Sequence, residues 1–200
     1  KGPDAPLYRF EPEALTPLAP FAQGARDPKL SVRASGALYM MAVVGGHGGG
    51  RLALSTSSDG GDAFGPLTHI SPEGADVSSH GENSPSFGFS PGIEMYALWE
   101  QSAGKGGMGT DLMLARSPAF GRSWLPPVKI TDKAEPSTNS FSSLTVAPNG
   151  KIYAVWLDGR DADKCPPGTS SVYLARSTDG GKTFEPNQAV AHGVCPCCRP

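Results

Sequence analysis

The block Ser57-Ser58-Asp59-Gly60-Gly61-Asp62-Ala63-Phe64 returns as Ser117-Pro118-Ala119-Phe120-Gly121-Arg122-Ser123-Trp124. It returns again as Ser177-Thr178-Asp179-Gly180-Gly181-Lys182-Thr183-Phe184, with the leading serines 60 residues apart both times. Ahead of each copy runs a second repeated block: LSVRASGALYMMAVV from Leu30, FGFSPGIEMYALWEQ from Phe87 and LTVAPNGKIYAVWLD from Leu144. Its tyrosines, Tyr39, Tyr96 and Tyr153, are spaced by 57 residues. A period of this length means that one supersecondary unit is repeated and stacked, because a single unit cannot bury its own apolar faces.

Each unit reads as four short strands. The second block is two apolar runs around a Pro, Asn or Gly turn, a hairpin of strands A and B. A third run (RLALSTS, DLMLARS or SVYLARS) leads into the Ser-x-Asp-x-Gly block, and a fourth (PLTHIS, PVKIT or NQAVA) follows it, giving strands C and D. Twenty-six Gly and twenty Pro in 200 residues, without a collagen-like period, agree with many short elements and exclude a helical protein. Four antiparallel strands per unit predict an all-β propeller with about three blades, a solenoid being the other architecture of this period.

The Ser-x-Asp-x-Gly-x-Thr-Phe/Trp pattern resembles the Asp box (BNR repeat) of sialidases and related six-bladed β-propellers, and it extends over nearly the whole chain. Arg26-Asp27-Pro28 is similar to the Arg-Ile-Pro motif of that family. The resemblance is to the N-terminal half of such a propeller. Residues 1–27 then hold a ring-closing strand over Leu18 to Phe21 and the lead into blade 1. Blade 1 spans 28–83, blade 2 spans 84–140, blade 3 spans 141–198, and 199–200 begin a fourth. On this reading the ring is incomplete, and the remaining blades come from sequence not included or from another chain.

The box itself has a structural reading. Asp59 and Asp179 accept backbone N–H groups inside a Gly-containing turn, while Phe64, Trp124 and Phe184 cover the hairpin end. Ser57, Gly61, Ser117, Gly121, Ser177, Gly181 and Thr183 complete the three turns, and Ala119 takes the acidic position in the middle one. Trp99 and Trp156, at equivalent positions of strand B, read as packing between blades.

Alternating strand direction puts the A–B and C–D turns at one end of the barrel, and the B–C loops and D-to-A connections at the other. That second end collects His47, Met108, Asp158, Arg160, Asp161 and Cys165 from B–C loops. It also collects Arg26, His80, Glu82, Asn83, Asn139, His192 and Cys195 to Cys198 from the connections. The resemblance implies three arginines on a substrate carboxylate, a Tyr–Glu nucleophile pair and an acidic proton donor. Arg26 matches the first arginine, and GGHGGGRL, where the acid is expected, contains none. A glycosidase without a proton donor lacks the step that makes it one.

Two functions follow: a non-catalytic module binding a protein, a glycan or a soft metal on its loop-rich face, or an exo-sialidase whose remaining catalytic residues lie elsewhere. Cys165, Cys195, Cys197 and Cys198 form disulfides, bind Cu or Zn together with His192, or stay as free thiols. An even cysteine count points to a periplasmic or secreted location. A net charge of -2 without a basic run argues against nucleic acid, and no apolar stretch reaches membrane-spanning length.

Overall fold

A computed structural model describes residues 19–21, 24–46, 50–103 and 109–196. The first sheet is β1 (Ala25–Val32), β2 (Leu38–Val44), β3 (Arg51–Ser57) and β4 (Thr68–His69), in that order. In the second, β5 (Val77–Ser78) and β6 (Ser86–Phe89) both pair with β7 (Met95–Ser102), followed by β8 (Thr110–Ser117) and β9 (Val128–Lys129). The third is β10 (Asn139–Val146), β11 (Ile152–Asp158), β12 (Ser170–Ser177) and β13 (Gln188–Val194). All pairings are antiparallel. The chain is therefore three four-stranded blades that do not close a ring, the first strand of the middle blade being split in two.

Because successive strand residues point to opposite faces, the middle blade serves two cores at once. Met95, Ala97 and Trp99 of β7 meet Tyr39, Met41, Val43, Leu52 and Leu54 of the first blade. Tyr96 and Leu98, the alternate residues, meet Ile152, Ala154 and Trp156 of the third. Trp99 and Trp156 are fully buried, each in its own inter-blade core, as expected of packing residues. Each fully buried Leu or Met in these layers contributes roughly 1.5–3 kcal/mol. Leu30 and Val32, at the positions that Phe87 and Phe89 fill in the middle blade, are 60% and 62% exposed on the outer face of the first sheet.

The three boxes close their hairpins alike. Gly65, Leu125 and Glu185 donate N–H to Thr56, Arg116 and Arg176, again at the 60-residue spacing. In the first box the Ser57 hydroxyl donates to Asp59 (2.6 Å) and accepts from Gly61 N (2.9 Å), and Ala63 N donates to the same carboxylate. In the third, Asp179 accepts from Ser177, Lys182 N, Thr183 N and the Thr183 hydroxyl. The Thr183 hydroxyl, and Ser57 in the first box, hold Asp179 and Asp59 below the usual carboxylate range. Phe184 and Trp124 pack against the two cores, and Phe64 is half-buried.

Two features differ from the sequence reading. Ala19–Phe21 is a single 3-10 turn rather than a strand, since Pro20 has no N–H to give a ladder; Leu18 lies outside the described residues. The second sheet takes in Val77–Ser78, upstream of the limit at 84 that the repeat implies, because residues 79–85 interrupt its first strand.

Gly121 stands where backbone and packing both demand glycine. Its φ is +79°, and a Cβ there would come within 2.3 Å of a Leu54 methyl and 3.2 Å of the Met95 sulfur. Gly60 has a similar φ of +81° but open space around it. We expect Gly60→Ala to cost about 1 kcal/mol and Gly121→Ala about 2–4 kcal/mol in urea unfolding. Equal costs would mean that the contact with the first blade is not a constraint.

Candidate functional site

The first strands of the three blades each break register at the same place. In β1 the ladder shifts between Arg26 and Lys29, with Asp27 left-handed (φ 52°). In β10 it shifts between Ser140 and Ser143, with Phe141 left-handed (φ 54°). In the middle blade the same interruption grows into the 79–85 loop, closed by a backbone bridge between His80 and Asn83. Bulges of this kind bend a strand and re-aim its side chains, and they collect next to binding sites.

These irregularities face one another and are tied together. The Ser79 hydroxyl donates to Asp27 (2.6 Å). Asn83 donates to Glu100 (2.5 Å) through its amide nitrogen and accepts from Phe141 N (2.6 Å) through its oxygen. Ser142 N donates to the other Glu100 oxygen (3.3 Å). Between the strands lies a cleft of about 320 Å³ lined by Lys29, Ser84, Ser86, Phe141, Ser142 and Ser143, with Val155 behind them. The hydroxyls of Ser84 and Ser86 are buried there without a hydrogen-bond partner among the described residues. No carboxylate is in that lining.

Glu100 is the residue that the sequence reading missed. It is 3% exposed and occupies the register position of Val43 and Leu157, where the other blades have aliphatic side chains. Burial pushes its carboxyl up to about 7, against the two donors, Asn83 and Ser142, that favour the charged form. A carboxylate among aliphatics at a repeat position was the available signal.

Arg26 lies at the loop end of β1, and both terminal nitrogens of its guanidinium are engaged by the protein, while Nε has no hydrogen-bond partner among the described residues. Nη1 donates to the carbonyls of Gly45 (2.9 Å) and Gly46 (3.3 Å), and Nη2 to that of Val77 (3.4 Å). The guanidinium thus joins the B–C loop of blade 1 to the first strand of blade 2. His80 is exposed at the turn of the 79–85 loop. His47 and Met108 lie outside the described residues.

The B–C loop of blade 3 is fixed by a second network. Asp158, fully buried, accepts from Trp156 Nε1, the Ser137 hydroxyl, Arg160 N and the Arg160 side chain. The same guanidinium reaches Asp132 (2.6 Å) and Asn187 (3.0 Å) and lies 4.2 Å from the Tyr173 ring centroid. Asp132 belongs to the end of the second blade, so this arginine fastens blade to blade. Asp161 accepts from Tyr173 (2.5 Å) and Lys164 (2.8 Å), and the ammonium first, then the phenol, hold it below the usual carboxylate range.

Cys165 and His192 are brought to one hydroxyl: Ser171 Oγ lies 3.4 Å from Cys165 Sγ and 2.8 Å from His192 Nδ1. Pro166 packs near Gly193, so this loop runs beside β13 just ahead of exposed Cys195. Cys197 and Cys198 lie outside the described residues. Among the described residues no three His, Cys, Asp or Glu side chains are placed to hold a metal ion. No helix among them is long and apolar enough to cross a membrane.

No family model and no curated protein matches the chain. Solved structures do. A Hadza microbial sialidase aligns at 21% identity over 80% of this chain and 36% of its own, with a TM-score of 0.56. A protein of unknown function from Dyadobacter fermentans aligns at 17% identity over 85% of this chain and 52% of its own (TM-score 0.63). An alpha-L-arabinanase of Penicillium chrysogenum, complexed with arabinobiose, aligns at 14% over 81% and 49% (TM-score 0.59). The chain spans about a third to a half of these proteins' lengths, and the likeness establishes a sialidase-like propeller fold.

Two outcomes follow for this region. The folded protein holds the Glu100 proton above the ordinary value of 4.5. Its contribution to stability is therefore full below that pH and declines, by about 3 kcal/mol, as pH rises to about 7. Glu100→Gln should flatten this decline in urea unfolding series run across the window. Arg160→Ala leaves Asp158 buried without its counter-charge and should cost about 3 kcal/mol by the same measurement. A loss below about 1 kcal/mol would place the pair among ordinary surface contacts.

Proposed function

We propose that the protein is a carbohydrate-binding propeller that takes its ligand in the cleft where the first strands converge. The observation that carries this reading is the lining: hydroxyls of Ser84 and Ser86 that have no hydrogen-bond partner among the described residues, beside Lys29, and no carboxylate. Hydroxyls that meet no protein partner suit a polyol, which both donates and accepts. Most glycosidases need two carboxyl groups flanking the scissile bond, and sialidases, with a tyrosine nucleophile, still need an acidic proton donor. The carboxyls nearby are engaged by the protein, Glu100 by Asn83 and the Ser142 amide and Asp27 by the Ser79 hydroxyl. That the structural neighbours include a sialidase and an arabinanase holding arabinobiose supports a sugar ligand. An exo-sialidase whose other catalytic residues lie in further sequence is the alternative, and the engagement of Arg26 by three backbone carbonyls weighs against it. A periplasmic or secreted location, and a disulfide or Cu or Zn at the cysteine cluster, remain part of this proposal on the strength of the cysteine pattern.

A glycan array probed with the purified protein tests the reading, together with release of fluorophore from sialoside and arabinoside substrates. We expect retention of one oligosaccharide class and no release. Ser84→Val should weaken retention about tenfold, since a lost hydrogen bond leaves a buried group of the ligand unpaired. Turnover abolished by Arg26→Ala would instead establish the enzyme.

A further inference from the structure

A second site lies at the opposite end of the blades, between blades 1 and 2, and it begins with the irregular middle box. Where the other two boxes have Gly60 and Gly180, the middle one has Phe120, held in the same left-handed conformation at φ 52°. A bulky residue there is strained, and strain that persists tends to be kept by function. The acidic position beside it is Ala119, so the carboxylate present in the other boxes is missing.

The displaced ring has a partner. Arg33, from the A–B turn of blade 1, is sandwiched with its Cζ 4.9 Å from the Phe120 centroid and 5.0 Å from that of Phe89. Its Nη2 donates to Gly92 O at 2.8 Å, which fixes the plane of the guanidinium. Its Nη1 is buried and has no hydrogen-bond partner among the described residues. Beside this stack opens a groove of about 470 Å³ whose lining includes Arg33, Arg122, Ser35, Ser58, Tyr39 and Pro66. No Asp or Glu lines it, and neither arginine makes an ion pair among the described residues. The first and third boxes carry Asp62 and Lys182 at the position of Arg122.

We infer that this groove binds a small organic carboxylate, its oxyanion between Arg33 and Arg122 and its apolar body along Tyr39, Pro66 and Phe120. An oriented guanidinium with an unused donor is the group that carboxylates pair with best, and an unpaired buried donor is costly unless a ligand completes it. The volume falls within the range of small-molecule sites. The loss of the box aspartate removes an anion that would oppose such a ligand, and the strained phenylalanine supplies both the stack and the wall.

Isothermal titration of the purified protein with benzoate, and with benzamide as its neutral isostere, tests the site at low ionic strength. Saturable benzoate binding is expected, with benzamide weaker by about tenfold or more, because the charge supplies the strong hydrogen bonds. Arg122 is exposed, so Arg122→Gln leaves the fold intact and should weaken benzoate about tenfold. Phe120→Gly restores the residue of the other boxes and should weaken it as well while the melting temperature is held or raised. Absence of saturable binding, equal affinity for benzoate and benzamide, or wild-type affinity in both variants would overturn the assignment.

Discussion

The contact on which this structure depends is the face-to-face packing of one blade on the next. No blade has a core of its own. β7 is buried on both sides, giving Met95, Ala97 and Trp99 to one neighbour and Tyr96 and Leu98 to the other. The strict alternation of a strand makes that double service available, and it explains why Met95 to Trp99 of β7 read as an unbroken apolar run. The left-handed glycines of the boxes belong to the same packing, for Gly121 and Gly181 lie against Leu54 and Leu114 of the blade before.

Onto this apolar frame the protein adds irregularity at fixed positions. Each first strand breaks register at its loop end, and the breaks bring Asp27, Asn83 and Phe141 N within reach of one another's blades. The two candidate sites are built by the same means at opposite ends. One uses bulges with left-handed Asp27 and Phe141, the other a box turn with left-handed Phe120.

Much of the fold was legible in the sequence because it repeats. The 57- and 60-residue spacings locate the hairpins, the box turns and the buried Trp99 and Trp156, and strand alternation assigns the loops to their ends. The details of the sites were less legible. Nothing in the identities of Asp27, Phe120 or Phe141 announces a positive φ, since non-glycine residues rarely adopt one and the choice is imposed by neighbours. Glu100 carried a visible signal, a carboxylate where its counterparts are Val43 and Leu157, but its partner Asn83 comes from a loop whose path only the structure gives. Arg160 and Asp158 stand two residues apart in the sequence, but that Arg160 also reaches Asp132 and Asn187 only three dimensions show.

The Arg160 clamp has a consequence for how the blades come apart. It joins the second blade to the third through an ion pair that reaches a buried carboxylate. The first blade meets the second through apolar contact and the hydrogen bonds of Arg26, Arg33 and Ser79, with no ion pair between these two blades among the described residues. In an array where each unit is held only by its neighbours, the weaker joint sets where opening begins. Amide protons of β1 and β2 should then exchange through a sub-global opening that leaves β7 to β13 as one protected cooperative unit.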